Sequence, residues 1–194
     1  MAVTMCHAEA LQMQATKNKH GFTLMELMIV VVIVSILATV AVTSYKQFSR
    51  RARVQEAIAF LGDVRIKQSF YYQTYRRYVS SGTSFTDWWP KAMKWTEASA
   101  PWGINCAKEG DISAHPGWCA LGAGFSATQE VQFQYVVWAR DPTSPKAPPT
   151  GYIQDPDQDW WIARARADFN QNGKFSDIWL SSERREPVLQ DETE

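Results

Sequence analysis

No proline occurs before Pro90 in this 194-residue sequence, so nothing in that stretch forces a long helix to kink or stop. Neither sign of charge is in excess. The 20 lysines and arginines balance 20 aspartates and glutamates, which leaves no global attraction to nucleic acid or to an acidic partner. The chain has no C-x-x-C, no G-x-S-x-G and no glycine loop fit to cradle a phosphate, and beyond residue 21 its only histidine is His115. Nothing converges on a nucleophile or a base, so an enzymatic reading has no residues to rest on. A hydrophobic content of 45% excludes a wholly disordered chain. The length suits one ordinary domain with an appended element.

Residues 22–42, FTLMELMIVVVIVSILATVAV, are apolar at almost every position and hold a single charge, Glu26. As a helix the run spans about 31 Å, the thickness of a bilayer hydrocarbon core. It is too long for the apolar part of a secretory signal, and no A-x-A pattern closes it. A membrane helix is the reading that remains. A carboxylate in lipid costs about 2.5–3.5 kcal/mol even on lenient insertion scales, so Glu26 has either a partner, a function or a short path to the headgroups.

The run is preceded by Lys17-Asn18-Lys19-His20-Gly21, basic and polar up to an abrupt Phe22. The string Gly21-Phe22-Thr23-Leu24-Met25-Glu26 resembles the type IV prepilin signature. The resemblance implies cleavage after Gly21 by a prepilin peptidase, N-methylation of Phe22, and a glutamate fifth from the cut, which is Glu26. It also implies subunit assembly. The Phe22 amine of an incoming subunit neutralises the buried Glu26 of its neighbour, and a misregistered subunit leaves both charges unpaired. The implied partners are other copies or other pilins, the peptidase, the inner membrane, and the assembly platform of a type IV pilus or a type II secretion filament. The implied course is an inner-membrane precursor with a periplasmic head, then a pilus at the cell surface serving adhesion, motility or uptake. A minor pilin is favoured over a major one, a type II pseudopilin is the alternative, and a single-span domain that never polymerises is the rival of another class. Where many pilins carry a helix-breaking glycine and proline, this chain has Ser35 and Thr43, so local melting of the helix is not expected. Met1, Met5 and Met13 are each possible starts of the leader. Lys46, Arg50, Arg51 and Arg53 outnumber Lys17 and Lys19, and that count favours the opposite orientation; the cleavage signature is given precedence.

Helical spacing continues past the span. Val54, Ala57, Ile58, Leu61, Val64, Gln68 and Tyr71 form one stripe, and Arg50, Arg51, Arg53, Glu56, Asp63, Arg65 and Lys67 form a solvated face. One helix over 22–78 is expected, packed in its second half on a sheet. Residues 80–126 are irregular. They hold Cys106 and Cys119, which in an exported domain form a disulfide worth about 3 kcal/mol on the chain-entropy account. The nine tryptophans, all between Trp88 and Trp179, are read as core rings. Strands are expected over 131–137, around 161–167 with Trp161, Ala163, Ala165 and Ala167 on one face, and over 174–180 after a two-residue Asn172-Gly173 hairpin.

The expected fold is therefore α+β, the pilin order: leader 1–21, helix 22–78, disulfide-bearing head 79–180 and polar tail 181–194. Asp168, Asn170 and Asn172 resemble the start of a calcium loop with glycine sixth, but the twelfth position is Trp179 where a bidentate glutamate is needed. A plain hairpin is preferred, and no cofactor is expected. Arg76, Arg77, Lys91 and Lys94 are read as a solvated charge face rather than a DNA site.

Overall fold

The computed structural model describes residues 21–91, 93, 95, 99–140 and 147–190. The chain forms two compact units, Met1–Gln47 and Phe48–Glu194. Helix α1, Leu24–Tyr75, contributes to both. It runs unbroken through Ser35 and Thr43, where neither helix breaker is present. Its ends lie slightly inside the expected 22–78. Thr23 caps the start, its Oγ1 accepting the Glu26 N–H at 3.2 Å. At the other end Arg76 turns into the left-handed region, φ 54°, and its N–H closes on the Tyr72 carbonyl at 2.8 Å.

The second unit is an α+β head. After α1 come β1 (Ala100–Pro101), α2 (Glu109–Ala114), α3 (Pro116–Leu121), β2 (Glu130–Val131), β3 (Gln134–Ala139), β4 (Trp161–Ala167), β5 (Ser176–Ser181) and β6 (Val188–Gln190). Strands β3-β4-β5-β6 form one antiparallel sheet in sequence order, and β1 pairs with β2. Ala57, Phe60, Leu61 and Val64 of α1 are buried with Tyr135, Val137, Ala163, Ala165, Ala167, Ile178 and Leu180 of the sheet. Ala163, Ala165 and Ala167 of β4 are fully buried in this same core.

Phe60 is the hub of this core. Its ring lies 4.2 Å from that of Tyr135, 4.9 Å from Phe125, 5.7 Å from Trp102 and 6.0 Å from Trp118. No tryptophan is exposed: Trp89 and Trp95 are half-buried and the rest are buried.

Five expectations need correction. Glu56 does not belong to the solvated face, because its Oε1 accepts the Gln132 N–H and the Tyr135 hydroxyl, both at 3.1 Å. That contact also splits the expected strand 131–137: with its N–H taken by the helix, Gln132 leaves the ladder, and β2 and β3 stand on either side. Burial and then the Glu56 charge push the Tyr135 phenol far above its ordinary range, so it stays a hydrogen-bond donor. The hairpin is not a two-residue one. Ala167 pairs with Ser176, and residues 168–175 form the loop. The segment 181–194 is not wholly a tail, since β6 pairs with β5 through Val188, Leu189 and Gln190. The irregular stretch also holds α2 and α3, whose signals were present: Pro116 opens α3, where a missing N–H costs nothing, and Gly122 ends it at φ 63°, where glycine carries no Cβ penalty.

Gln68 was assigned to the apolar stripe and is fully buried, but its role is polar. Its amide donates to the Val79 carbonyl at 2.6 Å and accepts the Val79 N–H at 3.1 Å. The chain leaving α1 is thereby fastened back onto the helix, with both backbone groups satisfied.

Candidate functional site

The N-terminal unit is built around one exposed apolar surface. Residues Leu24–Val42 form a helical span long and apolar enough to cross a membrane, none of it buried. Its two described hydroxyls are satisfied internally: Ser35 Oγ donates to the Val31 carbonyl and Thr39 Oγ1 to the Ile36 carbonyl, both at 2.7 Å. A lipid-facing helix requires this, since no water is there to take the bond.

Gly21 and Phe22 precede the helix outside regular secondary structure, and both are exposed. Glu26 stands in the first turn. Thr23 and Glu26 have the spacing of a capping box, a signal that the sequence reading passed over. An acid in the first turn also faces the positive end of the helix dipole. Glu26 therefore has a local structural use as well as the inferred one in assembly. Gly21 has no neighbouring atom within 4 Å of where a Cβ would stand, so a larger residue fits there without strain.

The remaining predicted residues lie in the head. Cys106 and Cys119 are joined as a disulfide, thirteen residues apart in sequence, and it pins α3 to the loop before α2. Asp168 is buried, and its carboxylate accepts the N–H groups of Asn172 at 3.2 Å and Gly173 at 3.0 Å. Asn170 Oδ1 accepts the Asn172 N–H at 3.2 Å, and Asn172 Oδ1 accepts the Lys174 N–H at 2.7 Å. The three oxygens that suggested calcium thus each close a local turn. Among the described residues, no three His, Cys, Asp or Glu side chains gather in a metal-binding group. Arg76 and Arg77 are exposed beyond α1, Lys91 pairs with Asp87 at 3.3 Å, and Lys94 lies outside the described residues.

The comparisons agree with this N-terminal geometry. Residues 16–42 match the family described as the prokaryotic N-terminal methylation motif. Over this segment the chain is similar to the type IV pilins. It is 44% identical over 64 residues to a fimbrial protein of Neisseria meningitidis (serogroup A / serotype 4A), covering 33% of this chain and 38% of that one. It is 42% identical over 64 residues to the type IV major pilin protein PilE1 of Neisseria gonorrhoeae, covering 33% and 39%. A protein of Dichelobacter nodosus titled "Probable minor fimbrial protein" is 44% identical over 50 residues, covering 26% and 31%. The chain spans less than two fifths of the length of these curated relatives. No solved structure matches it.

His115 sits between α2 and α3 with its ring 4.1 Å from that of Trp89, beside a hollow of about 210 Å³ that it lines with Ser81, Thr83, Asp87 and Lys91. Burial lowers its pKa. Asp111 and Asp87 pull it upward and Lys91 downward, and the net direction is down. A histidine whose folded pKa is depressed contributes stability that is full above the unfolded value of about 6.5 and is lost as pH falls from there through the folded value. Its imidazole resonances are expected to titrate with a midpoint below 6.5 in an NMR pH series on the folded protein, and above the folded pKa the melting temperature should fall on acidification through this range. A midpoint at or above 6.5 contradicts the reading.

Proposed function

We propose that this protein is a structural subunit of a type IV pilus, cut after Gly21, N-methylated on Phe22 and polymerised through the N-terminal part of α1, with a minor role favoured over a major one. One observation carries the reading: a methylation motif over residues 16–42 coincides with an exposed apolar helix whose lone carboxylate, Glu26, stands in the first turn. A pilus is favoured over a type II secretion filament because the relatives that share this segment are named as pilins and fimbrial proteins. The minor role is favoured because the likeness extends over only a third of this chain, which supports a head individual to it. The disulfide supports a head outside the cytoplasm, where an oxidising compartment keeps such a bond closed, against the orientation that the basic residues after the span suggest.

Processing is tested with Gly21→Val. The site has open space around it, so the variant is expected to insert and fold normally, to keep its leader and to stay in the membrane fraction. A mature product of wild-type size from Gly21→Val contradicts the proposal.

A further inference from the structure

Among the described residues, the sheet face turned away from α1 carries one more cation than it pairs. Gln134, Arg166, Asp177 and Gln190 lie side by side across β3, β4, β5 and β6, and Val136, Arg164, Trp179 and Val188 form the next row. Asp177 commits its carboxylate to Arg164: Oδ2 accepts from Nε at 3.1 Å and also from Nη2, and Oδ1 lies 3.3 Å from Nε. Arg166 receives a neutral partner instead. Its Nε donates to Gln134 Oε1 at 3.0 Å, and that amide is itself held by the Pro90 carbonyl at 2.7 Å. The Arg166 guanidinium carbon lies 4.2 Å from the centre of the Trp88 ring and 4.6 Å from that of Phe175. Two rings and a fixed amide thus hold the fork. Among the described residues no carboxylate lies within ion-pair distance of Arg166. Burial first, and then the neighbouring Arg164, lower its pKa against the pull of Asp177.

A part-buried cation without a counter-ion is costly, and a planar guanidinium held in place is suited to two parallel hydrogen bonds with a carboxylate. We propose that Arg166, framed by Trp88 and Phe175, is the anchor of a carboxylate-binding site on the outer face of the head. The site is independent of the filament reading. Its carboxylate has two possible sources. One is an acidic segment of another molecule. The other is the chain's own Asp191, Glu192 and Glu194, which follow Gln190 and lie outside the described residues. Gln190 shares the row of Arg166 two strands away, about 10 Å at ordinary strand spacing, and four extended residues reach about 13 Å.

The test uses the full chain and a chain ending at Gln190, both in detergent micelles, titrated against fluorescein-labelled tetraglutamate with tetralysine as control and read by anisotropy. Salt-sensitive tetraglutamate binding by both chains assigns the site to another molecule; binding only by the chain ending at Gln190 assigns it to the protein's own acidic end. In either case Arg166→Gln is expected to weaken binding at least tenfold. Arg166→Lys, which keeps a cation on a long stem over the rings but loses the planar fork, is expected to weaken it several-fold and serves should Arg166→Gln not fold. Binding by neither chain, or binding that both variants leave at the wild-type affinity, overturns the proposal.

Discussion

Glu26→Val is expected to abolish incorporation into filaments while leaving the protein inserted and folded. In the lone subunit Glu26 is exposed in the first turn of α1, where it complements the helix dipole by about 0.3–1 kcal/mol. Losing that contribution is minor, and removing a charge from the span should leave insertion unaffected or slightly improved. The head gathers its core from residues beyond Val54, so its disulfide and tryptophan fluorescence should not change. What changes is the environment of the neighbouring Phe22 amine in an apolar filament core. Leaving a buried charge without its partner costs about 3–5 kcal/mol, which at 1.4 kcal/mol per factor of ten is a loss of roughly a hundredfold or more. Glu26→Gln keeps shape and an acceptor but not the charge, and should be intermediate at best. The measurement is the ratio of protein in sheared filaments to protein in membranes. Equal ratios for wild type and both variants would reduce Glu26 to a helix cap with a snorkelling acid, and would favour a single-span domain that does not polymerise. A fall in total protein would instead mark the acid as a folding residue.

Phe60→Ala is expected to be the most damaging single truncation in the head. Four aromatic rings lie within 6.0 Å of its centroid, so deleting the ring opens a cavity at the point where α1, the disulfide region and the sheet meet. Phe→Ala at such sites costs about 3–5 kcal/mol, a large part of the 5–15 kcal/mol available to a domain. The melting transition of the head, followed by tryptophan fluorescence in micelles, should fall by roughly 10 °C. Phe60→Leu keeps an apolar filler and should lose much less. A Phe60→Ala variant within 1 kcal/mol of wild type would mean that the core rests elsewhere.

How far the sequence was legible follows from where its information lies. The span, the unbroken helix and the alternation of Trp161, Ala163, Ala165 and Ala167 are periodic, and periodicity survives without tertiary context. Phe60 stands three residues after Ala57 and four before Val64, at the edge of the stripe, but the four rings that make it the hub come from distant parts of the chain, and the hub was missed. Glu56 looked solvated because charge usually is; only the fold shows a buried tyrosine hydroxyl and a ladder-free N–H waiting for it. The run from Asp168 to Gly173 is ambiguous in one dimension, since oxygens spaced to hold a cation are also spaced to close a turn. The short strand β6 carries too few residues for any pattern, and its pairing with β5 decides it. At the N-terminus the reverse holds. The methylation motif was legible in the sequence because its residues are adjacent in the chain, whereas the proposed Arg166 site draws on β3, β4 and two loops.

The central claim is that this chain is a prepilin whose leader is removed to create a new amine at Phe22. Mass spectrometry of the N-terminal peptide of the mature protein tests it most directly. The account predicts a chain beginning at N-methylated Phe22; a mature chain that retains residues before Gly21, or begins elsewhere with an unmodified amine, contradicts it.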